Sequence, residues 1–210
     1  REARRPTAQK KRLRVERFGP LRHTCSRAVT DPRSDEQLIV ALRAGEIDAF
    51  DRLYPRYEAR LYGYVLRMIR DPNLADDLFQ DIFLGVLRDR SYDPARGRFS
   101  AWLFAVARNR CLMERRKSAR RNAAIDKVRQ QSELRAPADP HKAQRNERVR
   151  AAIDQLPEHQ RQLLLLKQVG ELTYREIGDL LDVAEGTVKS RLHAAMKAFR
   201  HQLQLQGEST

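Results

Sequence analysis

The sequence predicts an all-α chain in which two small helical domains are joined by a flexible linker. Three observations carry this. From Ser34 onward apolar residues recur every three or four positions, and no segment shows the two-residue alternation of a half-buried strand. Residues 118–145 interrupt that pattern with an Arg-, Ala-, Gln- and Ser-rich composition containing Pro137 and Pro140. Charged residues make up 33% and aromatics 7% of the 210 residues, which suits two modest modules better than one thick core.

Taken in order, residues 1–33 contain Pro6, Gly19, Pro20 and Pro32 with no sustained apolar period, so they read as a disordered basic extension. A solvated extension, a start codon placed too far upstream and a non-specific DNA-binding arm are all open readings. His23 and Cys25 form a lone H-x-C without further ligands, so no metal site is expected there. Because the first residue is Arg1 rather than Met, the sequence is expected to be part of a longer translation product.

Leu38, Ile39 and Leu42 mark a first helix, broken at Ala44-Gly45-Glu46. A second spans 47–69 through Phe50, Leu53, Tyr57, Leu61, Val65 and Met68. Asp71-Pro72-Asn73 separates it from a third over 74–88 with the apolar stripe Leu78, Phe79, Ile82, Phe83 and Val86; Asp76, Asp77, Gln80 and Asp81 fall on the opposite side. After a loop through Tyr92, Pro94 and Gly97, a fourth helix begins near Ser100 and enters the basic stretch 108–121. A short helix over 124–134 fits within the linker. A flexible linker of this length averages roughly 30 Å and extends to about 90 Å, enough to separate two DNA sites by two helical turns. Further helices are expected over 146–155, 158–169, 173–181 and 185–202. Pro157 suits a helix start and Thr173 with Glu176 forms a capping box.

The formal net charge is +14 and the sequence pI about 10.4, which points to a polyanionic partner, nucleic acid or an anionic membrane surface. Residues 1–33 carry a net +8 and residues 108–129 a net +7, whereas 34–107 are at −2 and 130–210 at +1. The longest aliphatic run, 163–166, is far too short to span a bilayer, so no direct membrane insertion is expected. No apolar stretch follows the basic N-terminus to make a secretory signal. Two distant cysteines, Cys25 and Cys111, build no disulfide framework and fit a cytoplasmic location.

Two short helices joined by a tight turn, the second basic outside and apolar inside at Val188, Leu192, Met196 and Phe199, make a helix-turn-helix. A major groove admits one helix and is read by donors near its N-terminus. Lys189, Ser190, Arg191 and His193 occupy that place, with Thr187, Lys197 and Arg200 positioned for phosphates. Asp77 and Asp81 could be read as metal ligands of a nuclease, but no third ligand completes such a site, so neither catalysis nor a cofactor is expected.

Several stretches resemble the bacterial sigma-70 family. Leu156-Pro157-Glu158-His159-Gln160-Arg161, Leu172-Thr173-Tyr174-Arg175-Glu176-Ile177-Gly178 and the run from Glu185-Gly186-Thr187 to His193 look like its region four. Asp77-Leu78-Phe79-Gln80-Asp81-Ile82-Phe83 and Phe99-Ser100-Ala101-Trp102 onward to Asn109 look like its region two. Both regions in order, with only a linker between, is the layout of the extracytoplasmic-function (ECF) group. The resemblance implies a non-enzymatic sigma factor that binds core RNA polymerase and directs promoter-specific initiation. The alternative is a two-domain helix-turn-helix regulator that acts without polymerase.

The resemblance also implies a role for each segment. Residues 34–117 would bind polymerase and open the minus-10 element, 118–145 would link, 146–205 would read minus-35, and 206–210 would be a tail. Asp77, Gln80 and Asp81 would dock on the β′ clamp coiled coil, and the second domain on the β flap. Asn109 would hold a flipped base while Arg108, Arg110, Arg115, Arg116 and Lys117 follow the phosphates. Trp102 and Phe104 read as core by their spacing, which leaves Tyr92 as the stacking candidate. An anti-sigma factor is the further partner implied. Where many relatives have Ser, this chain has Ala184, and Ala194 and Met196 stand where they often carry Arg.

Overall fold

The computed structural model describes residues 31–89, 91–124 and 140–207. The expectations for residues 1–30, including His23 and Cys25, lie outside the described residues. So do residues 125–139, with most of the expected linker helix, and residues 208–210 of the expected tail, whose residues 206–207 belong to the last helix. Among the described residues the chain is helical without strands. Its elements are α1 (Asp35–Arg43), α2 (Asp48–Ile69), α3 (Pro72–Arg88), a 3-10 turn (Pro94–Arg96), α4 (Phe99–Ala124), α5 (Pro140–Asp154), α6 (Glu158–Gln168), α7 (Tyr174–Leu181) and α8 (Glu185–Gly207).

Local chemistry sets most boundaries. Ser34 caps α1 in a capping box with Gln37. The Asp71 carboxylate accepts from the Leu74 amide while Pro72 takes the first helical position of α3. Pro140 likewise starts α5, six residues earlier than the apolar pattern suggests, because a fixed φ near −65° suits a helix's first turn. α4 runs past the expected domain end at 117 to Ala124, carried by two Arg and three Ala, both good helix formers.

α2 is the central strut of the first half, packed by α1, α3 and α4. Its inward side chains Leu53, Tyr57, Leu61, Tyr64, Val65 and Met68 are at most 2% exposed. Burying each such side chain contributes about 1.5–3 kcal/mol before the entropic cost of ordering it. Pro55 lies inside α2 and removes one backbone donor, and the helix continues through it because its neighbours on both sides are packed. One aromatic cluster joins α2 to α3 (Phe50, Tyr54, Phe79, Phe83), and a second joins it to the loop and α4 (Tyr57, Tyr92, Phe99, Trp102).

Among the described residues, side-chain contacts already involve Asp31 and Arg33, which precede the expected start of the domain at Ser34. Arg33 donates to the Asp31 and Glu46 carboxylates, and Arg56 donates to the Asp31 and Arg33 carbonyls. In the second half Arg161 is only 4% exposed and donates to the carbonyls of Ile153, Asp154 and Leu156, tying the end of α5 to α6. The buried residues of both halves form one contiguous apolar cluster. Among the described residues no helix is long and apolar enough to cross a membrane.

Candidate nucleic-acid interface

Two glycines and two left-handed residues shape the helix-turn-helix. A Cβ on Gly178 would stand 2.8 Å from the Val183 carbonyl oxygen, so α7 and the turn after it approach as closely as they do only over glycine. Asp182 closes α7 in the left-handed conformation at φ 54°, and the Val183 amide donates back to the Gly178 carbonyl. A Cβ on Gly170 would meet the Leu166 oxygen at 2.7 Å, and Glu171 at φ 55° turns the chain toward α7. Thr173 and Glu176 form the expected capping box.

α8 seats Val188, Leu192 and Ala195 in the core and leaves Lys189, Ser190, Arg191, His193 and Lys197 exposed, with Thr187 half-buried. The structure thus places the expected reading residues along the solvent side of one helix. Two of them already have internal partners. Lys189 lies 2.7 Å from the Glu185 carboxylate and 5.6 Å from the centre of the Tyr174 ring, and the Glu185 hydrogen bond raises its pKa. The Ser190 hydroxyl donates to the Thr187 carbonyl. Arg191, His193 and Lys197 are the more available donors.

In the first half, α3 holds Asp76, Asp77, Gln80 and Asp81 exposed while Leu78, Phe79 and Ile82 are buried, so one helix carries a core stripe and an acidic face. Among the described residues no group of three or more His, Cys, Asp or Glu side chains is arranged to hold a metal ion. α4 exposes Asn109, Arg110, Arg116 and Lys117. Arg108 donates to the Asn109 side-chain oxygen, and Arg115 lies 2.8 Å from the Glu158 carboxylate, an ion pair outside hydrogen-bond geometry. A cleft of about 400 Å³ between α3 and α4 is lined by both Asp81 and Arg110, which places the acidic and basic surfaces side by side.

One expected site residue is not available. Tyr92 is 4% exposed, its ring packed against Phe99 and Trp102 and its hydroxyl donating to the Gly97 carbonyl. Arg43 fixes it further by donating to the Tyr92 and Asp89 carbonyls, with its guanidinium 5.5 Å from the ring centre. An aromatic in a polar loop reads as a platform only until the tertiary packing that buries it is known. Phe104 is fully buried as its spacing suggests, whereas Trp102 is half-buried. The Glu36 carboxylate also accepts from the Phe99 amide, so α1 caps α4 across 63 residues. A capping partner that remote has no local signal in the sequence.

The chain thus carries an acidic helix face, a basic helix beside it and a helix-turn-helix. Comparison with known proteins gives the family. Residues 53–121 match sigma-70 region 2 and residues 146–199 match sigma-70 region 4. The RNA polymerase sigma factor CarQ of Myxococcus xanthus is 31% identical, over 77% of this chain and 92% of CarQ. The ECF RNA polymerase sigma factor SigK of Mycobacterium ulcerans strain Agy99 is 33% identical, over 80% of this chain and 94% of SigK. In solved structures, the sigma factor RpoE from Bartonella quintana, in complex with the anti-sigma factor NepR, shares the fold. Its TM-score is 0.61 at 22% identity, covering 80% of this chain and 95% of RpoE. The chain belongs to the sigma-70 family, in its ECF group. It is a non-enzymatic factor that directs transcription initiation by RNA polymerase, and not a regulator working apart from polymerase.

Proposed function

We propose that the two halves divide the work of initiation. Residues 34–117 dock on the β′ clamp coiled coil through Asp77, Gln80 and Asp81 and open the minus-10 element along α4. Residues 118–145 cross between the sites. Residues 146–205 contact the β flap and read the minus-35 element with Arg191, His193 and Lys197, supported by Lys189, Ser190 and Thr187. The observation that carries this reading is the exposed acidic face of α3 beside the exposed basic face of α4. Carboxylates repel phosphate but suit a basic protein surface, so the two faces need different partners. On α4, Asn109 pairs with an extruded base edge, and Arg108, Arg110, Arg115, Arg116 and Lys117 follow the strand. The protein acts in the cytoplasm, where polymerase and promoter are. RpoE has been solved with an anti-sigma factor, which supports a partner of that kind for this chain.

The test is run-off transcription with core polymerase on a promoter library. The chain should produce defined start sites. Asp81→Ala should weaken core binding while leaving binding of isolated DNA unchanged, and Arg191→Ala should relax the sequence preference at minus-35. Start sites indifferent to Arg191 and core affinity indifferent to Asp81 would remove this division of labour.

A further inference from the structure

α1 meets the loop before α4 at three places. The Glu36 carboxylate accepts from the amide of Phe99, the first residue of α4, 3.0 Å away. Arg43 reaches the other end of the loop. Its two terminal nitrogens donate to the Tyr92 carbonyl at 2.6 Å and the Asp89 carbonyl at 3.1 Å. Glu36 and Arg43 stand seven positions apart on α1, about two turns, so one face of one helix holds both ends of the loop. Pro94, at the loop tip, lines a shallow groove with Val40 and Ala41 of α1. Inside the loop the Tyr92 hydroxyl donates to the Gly97 carbonyl, and the Asp93 carboxylate accepts from the Ala95 amide. Ser91, Asp93, Ala95 and Arg96 are nonetheless exposed, so the loop is held on its inner side and open on its outer side. A cleft of about 450 Å³ beside the tip is lined from the first half by Asp93, Arg96, Ala101 and Ala105 among others. Ala101, Ala105 and Asn109 follow one another at four-residue steps along α4, so the tip borders the helix face that carries Asn109.

We propose that Glu36 and Arg43 are positioning residues for promoter selection: without touching DNA, they hold the loop tip at residues 93–96 in the shape that discriminates between minus-10 sequences. The proposal rests on the minus-10 reading of the first half, with the tip as part of the surface that meets the melted strand. A pre-shaped loop loses little conformational freedom when it binds. It also cannot re-pack around a wrong base, whereas a loosened loop can. Released from α1, the tip accepts more sequences, so discrimination falls further than affinity. Position 43 needs arginine because a planar fork spans two carbonyls, and lysine presents only a point charge. At position 36 glutamine keeps an oxygen for the Phe99 amide, and alanine does not.

The test uses holoenzyme reconstituted from core polymerase and the full chain, on promoters that carry the minus-10 element preferred in the library or single-base variants of it. The readout is the ratio of open-complex yields on preferred and altered elements. Glu36→Ala with Arg43→Ala should lower that ratio about tenfold, while core affinity and minus-35 preference stay within about twofold of wild type. Glu36→Gln should restore most of the ratio, and Arg43→Lys should not. Val65→Ala, a cavity in the core of α2, is the control for lost stability. It should lower yields on all promoters alike and leave the ratio unchanged. A double variant with the wild-type ratio, or a control that loses the ratio as strongly, would overturn the positioning role. Asp93→Ala with Arg96→Ala scores the loop reading separately, because it alters the tip itself. If that variant shifts base preference and the α1 variants do not, the positioning role alone fails. If the tip variant changes nothing, the loop does not read minus-10 and both fall together.

Discussion

Ala184 stands directly before α8, and its carbonyl already accepts from the Thr187 and Val188 amides, yet its methyl group leaves the other first-turn donors without a side-chain acceptor. Serine there could accept from the second or third helical amide. Ala184→Ser should stabilise the fold by about 1 kcal/mol in urea unfolding, with α8 still free to enter a groove. Cys111 makes the opposite kind of residue-scale case. It is fully buried, and burial pushes its thiol up to about 12. Only the thiolate reacts with alkylating agents, so in a Cys25→Ser background native Cys111 should stay unmodified at neutral pH and react once urea unfolds the chain. The sign of the pH effect follows. In the unfolded chain the thiol ionises near its ordinary value of 9, while the folded chain holds the proton to about 12. Stability from this group is therefore complete below pH 9 and falls as pH rises toward 12, visible as a midpoint that Cys111→Ala no longer shifts.

At the scale of elements, two mid-helix glycines make a matched pair. Glycine in a helix costs about 1 kcal/mol against alanine, so both should welcome a methyl group on propensity alone. In α3 a Cβ on Gly85 meets nothing within 4 Å, and Gly85→Ala should stabilise by up to about 1 kcal/mol. In α7 a Cβ on Gly178 would stand 2.8 Å from the Val183 carbonyl oxygen and 3.7 Å from a Val188 methyl. Forcing atoms into such a contact costs about 1–3 kcal/mol, so Gly178→Ala should destabilise and should also weaken duplex binding by changing the α7–α8 angle. Thermal melts of both variants, with duplex titration of the second, check opposite signs from one substitution. The helix-turn-helix was legible in the sequence because its capping box, turn and amphipathic helix are all local. So were the spans of α2, α3 and α6, to within two residues. The start of α5 was not, because its apolar pattern fades before Pro140 and a helix-starting proline reads as a breaker until the helix is seen.

For the whole molecule, what the sequence hides is how distant parts meet. The motifs identify the acidic face of α3, the basic face of α4 and the reading face of α8, but no local pattern pairs Arg98 with Glu176 across 78 residues or Arg60 with Gly170 across 110. Tyr92 was misread for the same reason, since Phe99, Trp102 and Arg43 close around it only in three dimensions. Charge is the one whole-chain property open to direct counting, and it yields the last prediction. Residues 1–30 contain ten basic and two acidic side chains, while Asp31 pairs with Arg33 and Arg52 at the edge of the first helical half. The hydrogen bonds from Arg33 hold the Asp31 carboxyl at about 2, so that anchor stays charged well below neutral pH. A chain beginning at Thr30 should therefore melt at the same temperature as the full chain. Its binding to random duplex DNA should be weaker and markedly less salt-dependent. Each phosphate neutralised adds about 0.9 to the slope of log affinity against log salt, so losing several contacts should flatten that slope by several units. Start-site choice with core polymerase should be unchanged, because the extension lies outside the faces assigned to promoter and polymerase. If the slopes of the two chains coincide, the α4 basic block and the helix-turn-helix carry the non-specific binding alone, and the +8 of the extension serves something other than DNA.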